Sequence, residues 1–350
     1  MHTPTHTTIL LGALALSLCA PTFAQEAPTP APELKQLQPL IGSWQGTGTA
    51  VFDPSAGPVK WTSHSTYRWA LKDFVVEEDT VVEFEGMPQP MVLRQYRGWD
   101  PEQKRFFGIM ISNDGVAKRG DFLIAPDGTM VLMLDQNQQG MSYVERMSSK
   151  IEGDKMTFWI DMMAALGPAQ ELVRGTLERT DKEYVIAKDA TAFMAGPGEQ
   201  MHKLARMTGV YDIQAKVAMS PEMVMDVKAT DHVTTMFSGQ VLHVATKGFA
   251  EGDPNPYEAH GFFCWDAANE CYSSVFVSNM GEVGQMASRF SADGKSLVST
   301  SAAPVMGELS VQRHVMHLDD QGRPTKGTGE FITGTGEPFE AFNGTYKRKS

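Results

Sequence analysis

The chain offers few residues whose type and spacing suit chemistry, and most of those lie in its second half. Cys264 and Cys271 sit in Phe-Phe-Cys-Trp-Asp-Ala-Ala-Asn-Glu-Cys-Tyr, which reads as two strands joined by a short polar turn. Positions flanking such a turn can oppose one another within disulfide reach, so the spacing predicts a structural disulfide. It is wider than the Cys-x-x-Cys of a redox pair, and no helix follows. Histidine is uneven: beyond the first 24 residues, which hold His2 and His6, His64 stands alone in the first half, whereas His202, His232, His243, His260, His314 and His317 come late. No two of them share a predicted element at metal-ligand spacing, and no metal site is expected. His314 and His317, near the closing strands, are the candidates for the single axial ligand that a haem needs. The Met219–Met225 and Met162–Met163 thioethers have the softness Cu(I) prefers, but without a completing histidine they read as packing. Glu77-Glu78-Asp79 is a carboxylate run, yet successive strand residues face opposite ways and cannot act together on one substrate. There is no Gly-x-Ser-x-Gly elbow and no glycine-rich phosphate loop. Catalysis is not expected.

The 350 residues, 42% hydrophobic and 21% charged, suit a folded protein of two domains. Thirty Lys and Arg against 42 Asp and Glu leave a net charge of −12, which argues against nucleic acid as a partner and against anionic membrane surfaces. The one long apolar run, Ile9 to Ala20, is too short for an integral membrane segment. With Pro21 and Thr22-Phe23-Ala24 after it, residues 1–24 read as a signal peptide cleaved after Ala24, although no Lys or Arg precedes the apolar core. The expected location is periplasmic or secreted. Cys19 raises a lipoprotein alternative, which the bulky Leu18 before it disfavours. Residues 25–32 form a Pro-rich tether.

The rest is a tandem repeat. Leu34–Trp44 aligns with Met201–Tyr211 at an offset of 167 residues. Trp99-Asp100, Ser112-Asn113 with Gly115, and Asp127-Gly128 recur 166 residues later as Trp265-Asp266, Ser278-Asn279 with Gly281, and Asp293-Gly294. Several anchors at one spacing imply two copies of one domain, assigned to 33–197 and 198–350. The junction has two readings, because Gly175–Arg179 resembles the chain's end at Gly344–Arg348 and would close the first copy near Thr180. Each copy opens on a short helical signal, with Leu34, Leu37 and Ile41 on one face in the first. Short strands rich in β-branched and aromatic residues follow, separated by turns and without a βαβ rhythm. The expected class is all-β: two tandem antiparallel barrels, each preceded by a short helix.

Leu-x-x-Leu-x-x-Leu-Ile-Gly-Ser-Trp at 34–44, Leu71-Lys-Asp-Phe-Val-Val-Glu77 and Tyr96-Arg-Gly-Trp-Asp100 resemble domain-of-unknown-function family 1579. The resemblance runs once per copy and implies calycin-type, lipocalin-like barrels in exported bacterial proteins; it implies no activity. The second copy departs from the pattern with Tyr211 for Trp and Thr235 where the first has Trp69. Gly42-Ser-Trp-Gln-Gly-Thr-Gly48 also resembles the opening of nitrobindin-like haem barrels. A lumen of this kind is either filled or takes one small ligand. Trp69, Trp99, Phe107 and Met110 in the first copy and Trp265 and Phe276 in the second are the lumen candidates, while Trp44 and Tyr211 are expected to plug the barrel base. The functional expectation is an exported protein that binds a small apolar or amphipathic molecule without catalysis. The alternatives are a filled-barrel interaction module of the cell envelope, its protein partner unspecified, and a haem barrel.

Overall fold

A computed structural model describes residues 29–349, except 54, 139–140, 165–167, 194–195, 221, 251–255, 306–307 and 334–335. The proposed signal peptide and the first half of the tether lie outside the described residues. The first copy is a meander of β1 (Gly42–Ala50), β2 (Val59–Ala70), β3 (Val75–Phe84), β4 (Met91–Asp100), β5 (Arg105–Ser112), β6 (Ala117–Ile124), β7 (Met130–Gln138), β8 (Met141–Glu152), β9 (Lys155–Ala164) and β10 (Gln170–Thr180). The second is β11 (Gly209–Ser220), β12 (Met223–Met236), β13 (Val241–Ala250), β14 (Tyr257–Asp266), β15 (Cys271–Ser278), β16 (Val283–Phe290), β17 (Ser296–Val305), β18 (Glu308–Leu318), β19 (Pro324–Thr333) and β20 (Phe339–Arg348). Every strand pairs antiparallel with its sequence neighbour, and β1 with β10 and β11 with β20 close two ten-stranded barrels. Closure removes the free edges that would otherwise template aggregation.

A 3₁₀-helix at Pro32–Leu40 precedes the first barrel, and α1 (Glu199–Ala205) precedes the second. In the former Leu34, Leu37 and Leu40 are buried, the three-residue spacing of a 3₁₀ turn, and Ile41 is the C-cap, not part of the buried stripe. Trp44 and Tyr211 plug the barrel bases as expected, and by the same bond. Trp44 Nε1 donates to Leu40 O at 2.9 Å, and Tyr211 Oη donates to Met207 O at 3.0 Å. Arg179 lies 4.3 Å from the Trp44 ring centroid and caps the helix carbonyls of Pro39 and Ile41. Arg348 reaches Thr208 O in the second copy. A Cβ at Gly42 (φ 121°) or Gly209 (φ 152°) would stand within 2.9 Å of these guanidiniums, so both positions require glycine.

The repeated sequence anchors are turn-makers. Asp100 Oδ1 accepts from the N–H groups of Glu102 and Gln103, as Asp266 Oδ1 does from Ala268 and Asn269. Asn113 accepts from Val92 N and donates to Pro90 O; Asn279 accepts from Glu258 N and donates to Pro256 O. The β2–β3 turn, Leu71-Lys72-Asp73, holds three successive positive φ angles (49°, 57°, 68°), and Phe237-Ser238-Gly239 repeats them (54°, 54°, 95°). β10 closes the first barrel at Thr180, and the following segment runs back along that barrel, with Tyr184 N donating to Thr66 Oγ1 and Asn113 donating to Thr191 O.

The barrels meet outer face to outer face. Leu71, Val75, Tyr96, Ile109, Ile111 and Ala117 form one buried cluster with Phe237, Val241, Phe262, Val275, Val277 and Val283. Each member of the second group is the repeat equivalent of one in the first, at the 166-residue offset. At the centre Arg119 N donates to Oε1 of its own equivalent, Gln285, at 3.1 Å, and Tyr96 packs 5.8 Å from its equivalent, Phe262. The seam therefore has the self-complementary form of a two-fold dimer interface, built within one chain.

The cysteines depart from expectation. Both are buried and free. The β14–β15 register sets Cys264 opposite Ser273 and Cys271 opposite Asp266, two positions out of step, because the turn places Trp265 and Tyr272 between them as the opposed pair. Burial pushes the Cys264 thiol up to about 12, which makes it a packing residue of the seam, not a nucleophile.

A lumenal cavity in the first barrel

Along β2, residues 61, 63, 65 and 67 face inward; β3 contributes 78, 80, 82 and 84, and β4 contributes 91, 93, 95 and 97. They enclose, with the inner faces of β5 to β10, a cavity of about 1490 Å³. Methionines supply much of the wall, including Met110, Met130, Met147 and Met156. Their unbranched thioethers adapt to irregular apolar surface. Six of the 22 methionines serve the lumen lining in this way.

One stretch of wall is polar. Tyr67 Oη and Thr80 Oγ1 donate to Glu78 Oε1 at 2.9 and 2.7 Å, and Thr80 Oγ1 is also 2.6 Å from Ser65 Oγ. Arg97 donates to Glu78 Oε2 at 2.6 Å and to Gln95 Oε1 at 2.9 Å. Its guanidinium lies over the rings of Tyr67 and Phe122. Burial lowers the Arg97 pKa, but the Glu78 carboxylate and Tyr67 outweigh it and the net shift is upward. Burial, reinforced by the Glu78 charge, holds the Tyr67 phenol well above its ordinary value. Arg97 and Glu78 therefore form a fully bonded ion pair, and neither Glu78 nor Tyr67 is a free base or nucleophile. Two further polar groups line the cavity with no partner among the described residues, Trp61 Nε1 and Ser63 Oγ.

The carboxylate run divides between faces as alternation requires. Glu78 enters the lumen, while Glu77 and Asp79 point out. There Arg94 bridges Asp79 at 2.7 and 3.0 Å, Arg68 bonds both carboxylates, and Tyr96 donates to Glu77 at 2.6 Å. Burial would raise the Asp79 carboxyl, but Arg94 and Arg68 carry it below its usual value. His243 and His260 of the second barrel stack near this cluster with Nε2 and Nδ1 2.8 Å apart. Burial pushes His243 down to about 3 and lowers His260 as well, so the pair is uncharged at neutral pH.

The mouth of the cavity is shared. β6 pairs with β7 only through Asp121–Ile124 and Met130–Met133. Above that, Lys118 reaches Asp135 O and Gln136 Oε1 across the gap, and Gln136 donates to Glu145 at 3.1 Å. Burial raises the Glu145 carboxyl. Cys264–Ala268 and Ser273 of the second barrel complete this rim.

Of the lumen candidates, Met110 lines the cavity. Trp69 and Trp99 pack at the base of the first barrel, Trp69 donating to Gln38 at 3.3 Å and Trp99 meeting Phe106 edge-on. Phe107 is a correction. It points outward into the seam, because alternation puts Phe106, not Phe107, inside. Trp265 packs against the second barrel's core and also borders the first barrel's mouth. Phe276 is buried on β15 and in phase with the inward Tyr272. Reading residue types alone missed Arg97, Tyr67, Trp61 and Ser63, whose common phase appears only once strand register is known.

The equivalents of the polar wall differ in the second barrel. Tyr67, Glu78 and Arg97 are replaced by Val233, Val244 and Phe263, which join a core cluster containing Phe342 and Tyr346. The Phe342 ring lies across Gly327 and Gly344. Asp231, at the place of Ser65, accepts from Thr246 at 2.7 Å and leaves Oδ2 without a partner; burial raises its carboxyl to about 7. The haem candidates do not fit a haem. His317 is exposed and near Ser296 Oγ at 3.3 Å. His314 is inward but wedged 5.4 Å from Phe342, and a Cβ on Gly329 would sit 2.6 Å from its Nε2. His64, in the hollow barrel, bonds outward to Lys182 O.

Residues 29–179 and 196–348 each match the family described as "Protein of unknown function (DUF1579)". The chain belongs to the DUF1579 family. The two matched regions coincide with the two barrels of this DUF1579 protein. No curated protein matches the chain. Among solved structures it is similar to Rv2717c from M. tuberculosis, at 18% identity and TM-score 0.34, covering 43% of this chain and 99% of that one. It is also similar to a protein of unknown function from the DUF3598 family of Nostoc punctiforme, at 10% identity and TM-score 0.27, covering 91% of this chain and 100% of that one.

Proposed function

We propose that this DUF1579 protein is exported and that its first barrel binds a small apolar or amphipathic molecule without catalysis. The observation that carries the reading is the cavity of about 1490 Å³, apolar over most of its wall with one organised polar stretch. Pockets for small molecules usually measure about 300–1,000 Å³ and combine an apolar lining with a few fixed polar groups. Transfer of apolar surface from water into a preformed site drives such binding. The second barrel, its interior occupied by Phe263, Phe342 and Tyr346, serves as the support that borders the mouth. Glu78 is not poised for proton transfer, since it is fully engaged by Arg97, Tyr67 and Thr80.

The test is native mass spectrometry of the mature protein purified from an exporting host without detergent. Extra mass that disappears on denaturation is the expected result. A chain that takes up no lipophile, added or endogenous, overturns the reading. A mass that includes residues 1–24 overturns export.

A further inference from the structure

The ligand's polar end is written into the wall. Resting on the binding reading above, we infer that the first barrel selects a lipid-sized molecule with an uncharged hydrogen-bond acceptor, such as an ester carbonyl or hydroxyl, over one with a free carboxylate. Three observations carry this. First, Trp61 and Ser63 line the cavity two residues apart on β2, and their Nε1 and Oγ are buried with no partner among the described residues. Trp61 is only 4% exposed, and its ring is pinned flat, since a Cβ on Gly48 or Gly175 would come within 2.4 Å of it. An indole N–H can only donate and a serine hydroxyl can donate, so the complementary group is an acceptor. A buried donor left unmet is costly, whereas an acceptor brought against it recovers that cost.

Second, Arg97, the cation of the polar stretch, is already neutralised. Arg97 is bonded to Glu78 at 2.6 Å and shielded by Tyr67 and Phe122. A carboxylate reaching this wall would meet Glu78 as a like charge in a medium of low dielectric, with Arg97 already engaged. Third, Lys118 at the mouth is bonded to Asp135 O and Gln136 Oε1 and stands among the carboxyl groups of Asp114, Glu145 and Asp266, so the mouth adds no net attraction for an anion. The volume, above the usual range for small-molecule sites, sets the class as lipid-sized.

The experiment uses the mature chain and three probes of equal chain length: 1-monooleoylglycerol, oleate at pH 8, and the hydrocarbon octadecane. Each competes with Nile red, a neutral dye. For the wild type the monoacylglycerol is expected to bind at least about tenfold more tightly than oleate. Trp61→Phe keeps the ring over the glycines but removes the donor. It should weaken the monoacylglycerol about five- to tenfold and leave octadecane unchanged. Glu78→Gln frees the charge of Arg97 and should reverse the preference, strengthening oleate about tenfold or more. Oleate binding the wild type as tightly as the monoacylglycerol overturns the inference while leaving lumenal binding in place. Failure of dye and every probe to bind overturns both. Should Glu78→Gln not fold, the Trp61→Phe, Ser63→Ala double variant decides: unchanged monoacylglycerol affinity overturns the inference.

Discussion

In the first barrel Tyr67, Glu78 and Arg97 face a cavity of about 1490 Å³; in the second, the same three places on the same three strands hold Val233, Val244 and Phe263 within a packed apolar core. The frame around both is shared down to single hydrogen bonds. Asp100 and Asp266 cap the same hairpin, Asn113 and Asn279 fix the same loop, and Trp44 and Tyr211 donate to equivalent helix carbonyls. Turn and plug residues answer to backbone geometry, which both barrels need. Inward residues answer only to whatever fills the barrel, and the two copies fill theirs differently. One copy has thus been left hollow while the other is packed, shares the seam and supplies part of the mouth.

The largest expected effects come from exchanging contents between the barrels. Arg97→Met leaves Glu78 charged and buried without its cation, and urea unfolding should show a loss of about 3–5 kcal/mol. The triple change Tyr67→Val, Glu78→Val and Arg97→Phe imports the second barrel's residues and should be close to neutral, because it removes both charges together. If the triple variant falls as far as Arg97→Met, the barrels are not interchangeable in this way.

Packing gives the next contrast. Phe342→Ala opens a void in the packed barrel and should cost about 3–5 kcal/mol, whereas Met110→Ala only enlarges an existing space and should cost about 2 kcal/mol. Equal costs in denaturant titrations would deny the difference between hollow and filled.

A third effect separates the two through pH. The Ser65 hydroxyl of the first barrel titrates nowhere in the working range, but its counterpart Asp231 is raised by burial to about 7. Between about pH 4 and 7 folded protein retains a proton there that the unfolded chain has released, so stability is full below pH 4 and declines as pH rises through 7. Wild-type stability relative to Asp231→Asn should therefore drop by roughly 2–4 kcal/mol between pH 4 and pH 8. The comparison with the variant isolates this carboxyl from His243 and His314, which burial lowers to about 3 and about 4 and which cost stability in the opposite direction, as pH falls below 6.5. A flat difference would place Asp231 in contact with solvent.

The smallest effects concern the seam. Cys271→Ser should change stability by less than about 1 kcal/mol, and thiol titration of the unreduced, unfolded chain should find both thiols of Cys264 and Cys271; a loss of about 2–4 kcal/mol would reveal a cross-link after all. Asp73 holds a left-handed φ of 68° where the second copy has Gly239, and Asp73→Gly should gain up to about 1 kcal/mol in thermal unfolding. A loss would mean that the Asp73 side chain secures the turn.

Much of this molecule is legible in its letters. Local interactions leave their residue types at fixed spacings, so the 166-residue repeat, the Asp-Gly and Trp-Asp turns, the leading helices and the all-β class follow from the sequence. Alternation alone separates Glu78 from Glu77 and Asp79. What required the tertiary structure is everything that depends on register and closure. Cys264 and Cys271 miss one another because opposition is counted across strands and not along the chain. Phe107 leaves the lumen for the seam because one residue of phase exchanges the two faces of a strand. The polar wall assembles Tyr67, Glu78 and Arg97 from three strands whose sequence separations carry no common period. Whether a barrel is hollow depends on the sum of its inward volumes, a quantity that no single position encodes.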